Sequence, residues 1–264
     1  HSFDFPLYYA ITEGLCEDGD LRKVAAAITQ DRVYPANHQW ITFLDNHDTA
    51  RVATVCGDKT QAAFSLLMSL RGIPAITWAT GQGLKGGREI EARGDMVFEY
   101  TELHQFLADR LGERRSITAL TDGATEWLTA EPKSLSFARV TANEAVIVSV
   151  GGEGKKPAVP EEAANATWLA LPDSGIQRWL LTPELGSDFS NWADRLASEF
   201  SQTKTVRLKS GSQSHISGSD PAVGAWNPAN AVGPGEAEVA LPVGGVVALK
   251  SVKQTEDGRP IWSA

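Results

Sequence analysis

Residues 45–48, Asp-Asn-His-Asp, place two carboxylates, an amide and an imidazole in four consecutive positions. A carboxylate accepts hydrogen bonds from hydroxyls or stabilises a developing positive charge, and an imidazole donates a hydrogen bond or carries a proton. Such a set suits work on a polyhydroxylated ligand. It also suits a purely local role, in which Asn46 closes an Asx turn, Asp45 serves as a cap or salt-bridge partner, and the backbone satisfies His47. Arg51 follows within a few positions and is near enough in sequence to help keep Asp48 ionised.

The elements around the tetrad favour an end-of-strand position. "WITFL" at 40–44 is a continuous apolar run of the kind that forms a strand covered on both faces, and the tetrad follows it directly. "SFDF" at 2–5 and "IPAITW" at 73–78 read as two further strands, the second with its proline near the start, where a lost N–H costs least. Between them Leu21, Val24, Ala25 and Ile28 share one helix face, with Asp18 or Asp20 available as N-cap. Ala63, Leu66, Leu67 and Leu70 share another, stopped by Gly72 and Pro74. Leu103, Phe106, Leu107 and Leu111 predict a helix over about 99–115. Strand and helix alternating at this spacing imply successive βαβ units.

From about residue 117 the pattern becomes one of short strands. "SLSFARV", "EAVIVSV", "TWLAL", "QRWLL", "TKTVRL", "EAEVAL" and "GVVALKSV" are separated by turn residues, as in an antiparallel β-sandwich. The stretches 151–166 and 210–235 read as long loops. The expected organisation is therefore an α/β region over 1–115 and an all-β region over 116–264. Trp127, Trp168 and Trp179 fall on sandwich strands as packing residues. Trp78 ends the third strand, while Trp192 and Trp226 sit in loop-like surroundings.

Composition narrows the partners. The chain has 264 residues, 42% of them hydrophobic, enough for a sizeable core. A net charge of −9, from 24 basic and 33 acidic residues, leaves no basic tract to neutralise phosphates and argues against nucleic acid. No apolar run approaches the length of a membrane helix, and no membrane role is expected. Two cysteines, Cys16 and Cys56, are too few for a disulfide scaffold and too isolated for a metal site. Asn165-Ala166-Thr167 matches a glycosylation sequon, a pattern common by chance.

"FLDNHDTARV", preceded by "SFDFPLYYAI" and followed by "LMSLRGIPAITWATGQGLKGG", resembles the α-amylase family of glycoside hydrolases, in the order those segments have there. The resemblance covers about residues 1–115 by motif. It implies the C-terminal portion of a (β/α)₈ TIM barrel, its sixth to eighth strands, followed by an antiparallel β-sandwich. In such barrels chemistry sits at the C-terminal ends of the strands. By resemblance Asp48 is the third catalytic carboxylate, with His47, Asn46, Asp45, Arg51 and Trp78 as substrate-binding residues. Two departures stand out. Ala79 and Gly81 occupy positions where the family carries a glycine and an acidic residue, and the loop "GGREIEARGDM" keeps the double glycine and Arg93 but otherwise differs.

The resemblance also says what to expect beyond this stretch. A nucleophile and a general acid follow the family's fourth and fifth strands, and nothing here resembles those segments. The expectation is an incomplete hydrolase of α-1,4-glucans whose N-terminal barrel half lies in the same polypeptide or a companion chain. An α-glucan or oligosaccharide is the expected substrate. The alternatives are a non-catalytic glucan-binding subunit and a transglycosylase or isomerase of the same family. Calcium is implied by resemblance alone, with no metal ligands assigned in this chain, as is an extracellular or periplasmic location.

Overall fold

A computed structural model describes residues 1–35, 37–255 and 259–263. The described residues form two compact units, His1–Val24 with Asn37–Ala197, and Ala25–Ala36 with Ser198–Ala264. Along the chain come β1 (Ser2–Phe3), α1 (Phe5–Ile11), a π-helical turn (Thr12–Cys16), α2 (Arg22–Thr29) and β2 (Trp40–Thr42). They are followed by α3 (Val52–Val55), α4 (Thr60–Ser69), β3 (Ile73–Pro74), α5 (Glu102–Ser116) and α6 (Thr118–Asp122).

The three strands make an open parallel sheet in the order β1-β2-β3, with Ser2 opposite Trp40 and Ile41 opposite Ile73. This is the expected arrangement of barrel strands, and among the described residues they do not close into a barrel. All three are shorter than their sequence runs. β1 stops because Asp4 turns the chain, its carboxylate accepting from the Leu7 N–H at 3.0 Å as N-cap of α1. β3 ends at Pro74, after which the Ala75 N–H reaches the Thr42 carbonyl at 2.7 Å. Gly72 makes the entry to β3 possible. At φ +102° it lies in the left-handed region, and a Cβ there would stand 2.6 Å from Thr42 Cγ2.

α4 was expected to show one apolar face, yet nearly every residue from Thr60 to Ser69 is buried. A helix enclosed on all sides leaves its last carbonyls without water. Arg114 of α5 supplies the donors, with Nη1 on the Met68 and Leu70 carbonyls at 2.6 and 2.8 Å and Nη2 on that of Gly72 at 2.7 Å. Burial pushes the Arg114 pKa down to about 10. A second cluster joins Ser65, Asp173, Glu113 and the wholly buried Arg178.

Past α6 the chain turns antiparallel, in β4 (Ala124–Glu131), β5 (Ser134–Val140), β6 (Ala145–Val150), β7 (Thr167–Leu171) and β8 (Gln177–Thr182), ordered β4-β5-β6-β8-β7. Its core gathers Val140, Ile147, Trp179 and Leu181 with Phe189, Trp192 and Leu196. Trp192 therefore does not lie in a loop. It sits on α7 (Ser190–Phe200), and its fully buried indole donates to Glu126 Oε2 at 2.5 Å. The stretch 151–166 is less irregular than expected, with short 3-10 turns at Gly152–Gly154 and Glu161–Ala163.

In the second unit β9 (Thr203–Lys209) pairs antiparallel with β11 (Glu236–Pro242). There β10 (His215–Gly218), β12 (Leu249–Gln254) and β13 (Pro260–Trp262) form a three-stranded sheet. β10 and two 3-10 turns fall inside 210–235, the stretch read as loop. Trp226 packs against Trp262, ring centroids 6.2 Å apart. The mixed α/β half followed by antiparallel sheets is the fold class expected from the sequence.

The cysteines, isolated in sequence, meet in space. Cys16 and Cys56 form a disulfide with Cα atoms 4.5 Å apart across a sequence separation of 40, tying the end of the π-helical turn to the end of α3.

Candidate active site

The apolar run that builds β2 continues through Phe43 and Leu44, both buried, and then faces two opposite demands. Asp45 turns inward. It is 2% exposed, and its Oδ1 accepts from Thr80 Oγ1 at 2.7 Å and its Oδ2 from the Val52 N–H at 3.1 Å. Arg51, 1% exposed, brings its Nε to 3.4 Å from Oδ2, a charge contact not aligned as a hydrogen bond. The same guanidinium donates through Nη2 to Thr80 Oγ1 at 3.3 Å and to the Trp78 carbonyl. Burial pushes the Asp45 carboxyl up from its ordinary range, and the Thr80 hydroxyl, the Val52 N–H and the Arg51 charge work against that shift.

This buried assembly fastens two loops together. Thr77 Oγ1 donates to the Asp45 carbonyl at 2.8 Å, and the Arg51 N–H donates to the Gly86 carbonyl at 3.0 Å. The connection after β2 is thereby held against the longer one, residues 75–101, after β3. Asp45 and Arg51 act as a strut beneath the surface. Arg51 is partnered with Asp45, not with Asp48 as the sequence spacing suggested.

Asn46 sets the next step. Its Oδ1 accepts from the Asp48 N–H at 2.8 Å and the Thr49 N–H at 3.0 Å, while its own N–H donates to Thr49 Oγ1 at 2.9 Å. The local Asx turn is real, and its consequence is to lift His47 and Asp48 off the end of the strand. Below it Tyr8 stacks on Phe43 with centroids 5.2 Å apart, and burial raises its phenol pKa while a hydrogen bond with the Thr49 side chain opposes the rise.

Asp48 is 61% exposed, with Oδ2 3.2 Å from His47 Nε2 and Oδ1 2.9 Å from Arg93 Nη2. Arg93 also donates through Nε to the His47 carbonyl at 3.2 Å. It comes from a 3-10 turn, Glu89–Arg93, in the connection after β3, within the loop "GGREIEARGDM" that keeps this arginine. The structure thus gathers Asn46, His47, Asp48 and Arg93 at one rim. Trp78 reaches it through its backbone, and its own ring, 58% exposed, meets Phe98 edge-to-face at 5.8 Å.

Chemically the rim offers an accessible carboxylate flanked by an imidazole and a guanidinium, all able to exchange hydrogen bonds with hydroxyls. Among the described residues no three His, Cys, Asp or Glu side chains converge to hold a metal ion, so the residues present do not fit a calcium cage. No described helix is long and apolar enough to cross a membrane.

No protein-family model matches the chain. It is 29% identical over 160 residues to a beta/alpha-amylase from Paenibacillus polymyxa, covering 56% of this chain and 13% of that protein. With a cyclomaltodextrinase from Geobacillus thermopakistaniensis it shares 25% identity over 211 residues, 74% of this chain and 34% of that protein. The chain thus spans well under half the length of these curated relatives. Among solved structures, an α-amylase from Anoxybacillus superposes with a TM-score of 0.53 at 17% identity, over 96% of this chain and 47% of that one. Sequence and fold both tie the chain to α-amylase-family enzymes, over a portion of their length.

Proposed function

We propose that this chain supplies part of the active site of a retaining glycoside hydrolase acting on α-1,4-glucans, with Asp48 as the carboxylate that stabilises the transition state. In such reactions the sugar ring gains positive charge as the glycosidic bond breaks, and an ionised carboxylate already aimed at the ring stabilises the transition state more than the ground state. In this reading Arg93 fixes the carboxylate's orientation through Oδ1, and His47, with Nε2 3.2 Å from Oδ2, stands beside it to donate to a hydroxyl of the same ring once a ligand displaces that contact. The observation that carries the reading is the position of Asp48, lifted by an Asx turn at the C-terminal end of a parallel strand and accessible, where barrel enzymes do their chemistry.

The nucleophile and the general acid, about 5 to 5.5 Å apart in a retaining site, come in this reading from an N-terminal barrel half in the same polypeptide or a partner chain. That half also covers the open edges of the β1-β2-β3 sheet. We place the division between the barrel part and the β part at 115/116, close to where parallel pairing gives way to antiparallel. An extracellular or periplasmic location fits the Cys16–Cys56 disulfide, since such bonds persist in oxidising compartments. No step is assigned to calcium.

The test is Asp48→Asn in the complete enzyme that carries this chain. Turnover of maltoheptaose falls by orders of magnitude with the melting temperature unchanged, because an exposed side chain is made neutral at constant shape. Near wild-type turnover would refute the assignment and favour a non-catalytic glucan-binding role. Product analysis on the same substrate separates hydrolysis from transglycosylation.

A further inference from the structure

The connection after β3, residues 75–101, contributes more to the rim than Arg93. It carries Trp78 near its start and Phe98 and Tyr100 near its end, aromatic side chains that are 58%, 79% and 90% exposed. Other exposed apolar side chains in this half, such as Phe3 on β1 and Ile73 on β3, lie on the strands of the open sheet itself. Trp78 and Phe98 lie beyond the strand end instead, on a connection from a parallel strand to the next helix, and strand pairing does not cover that position.

Two ties hold this connection beside Asp48. Arg51 anchors the Trp78 carbonyl, and Arg93 binds both the His47 carbonyl and the Asp48 carboxylate. The Trp78 and Phe98 rings meet at 84° with centroids 5.8 Å apart, so the plane of one stands as a wall against the other, and both stay largely exposed. A pyranose has matching chemistry, with C–H groups on its faces and hydroxyls around its edge. The aromatic surface takes the face, and Asp48, His47 and Arg93 take hydroxyls along the chain.

We propose that Trp78 and Phe98 form an aromatic ledge that stacks a glucosyl ring of the substrate chain next to the ring bound at Asp48, and so sets chain-length preference. The proposal rests on the α-glucan reading given above. A ledge beyond the reacting ring contributes binding shared by ground and transition states, which lowers KM and leaves kcat nearly constant. Short substrates that do not reach it gain nothing.

The experiment compares KM and kcat for maltotriose and maltoheptaose in the complete enzyme, for the wild type, Trp78→Ala, Trp78→Tyr and Phe98→Ala. Loss of a stacked aromatic face predicts a rise in KM for maltoheptaose of about tenfold in Trp78→Ala, a smaller rise in Phe98→Ala, and a return toward wild type in Trp78→Tyr. KM for maltotriose moves far less. Equal effects on both substrates, or no recovery in Trp78→Tyr, would mean that Trp78 only supports the fold and would overturn the proposal, as would an unchanged KM for maltoheptaose. Titration of maltoheptaose into Asp48→Asn and into Asp48→Asn/Trp78→Ala separates the two readings. The ledge requires weaker binding in the double variant, whether or not Asp48→Asn has lost turnover.

Discussion

Arg51→Met tests the strut beneath the rim most directly. The substitution keeps an unbranched side chain in the space but removes the guanidinium charge placed 3.4 Å from the Asp45 carboxylate, in surroundings where both residues are almost fully buried. Asp45 keeps the Thr80 hydroxyl and the Val52 N–H, two neutral donors for a buried anion. Removing one partner of a buried pair costs about 3 to 5 kcal/mol, because the remaining charge is left uncompensated. The cost depends on pH. Burial already raises the folded-state pKa of Asp45, and losing Arg51 raises it further, whereas the unfolded value is about 3.9. Between those two values the folded state holds a proton that the unfolded state has lost, so stability falls as pH rises, by about 1.4 kcal/mol per unit. Between pH 5 and pH 7 the variant is therefore the less stable at the higher pH, and by more than the wild type. Urea unfolding of wild type, Arg51→Met and Arg51→Met/Asp45→Asn at both pH values measures this. The single variant shows the steeper pH dependence, and the double variant removes it. A loss under about 1 kcal/mol, or one no greater at pH 7 than at pH 5, would falsify the strut.

Two further outcomes follow from the scaffold. Arg114→Met strips donors from the buried Met68 and Leu70 carbonyls at the end of α4, at about 1–3 kcal/mol each, whereas Arg115→Met, on the exposed side of α5, changes stability by less than about 0.5 kcal/mol; comparable losses in the two variants would argue against the cap. Replacing both Cys16 and Cys56 by serine reopens a loop spanning a sequence separation of 40 and lowers the unfolding free energy by about 4 kcal/mol on chain entropy alone. Thermal unfolding with and without reductant checks the size, and an unchanged melting temperature would show that the bridge contributes nothing.

What the sequence made legible was local. The tetrad at 45–48, the strand before it and the helices after it are properties of consecutive residues and lie along the chain as expected, although β2 is shorter than its apolar run and α4 is buried on nearly every side. The motif marked Arg93 as retained, but its partnership with Asp48 was not legible, because it joins two connections 45 residues apart. The disulfide is the same case at a separation of 40. α7 left a weak trace in the spacing of Trp192 and Leu196, but turn residues precede it and its stability comes from packing on the five-stranded sheet. The strands around Phe3 and Ile73 read longer than they are, because Asp4 and Pro74 end their pairing.

Asp45 and Asp48 show why residue type alone was insufficient. Both are aspartates past the same strand, three positions apart, and it is the motif, not their residue type, that assigns them different expected roles. Asp45 lies where Thr80, the Val52 N–H and Arg51 can satisfy a desolvated carboxylate, so it is held by packing and polar contacts and is closed to a ligand. Asp48 stays hydrated, so burial does not hold it, and its position depends on backbone geometry set by Asn46 and on Arg93 from the next connection. An exposed surface ion pair contributes only about 0–1 kcal/mol, too little to fix a carboxylate that, on the proposed function, stays aimed at a sugar ring. Most of the rigidity under Asp48 must then come from the strut at Asp45 and Arg51, which joins the two connections before either reaches the rim. A variant that loosens the strut without touching Asp48 should therefore lower kcat, and the loss should track the stability change measured for Arg51→Met.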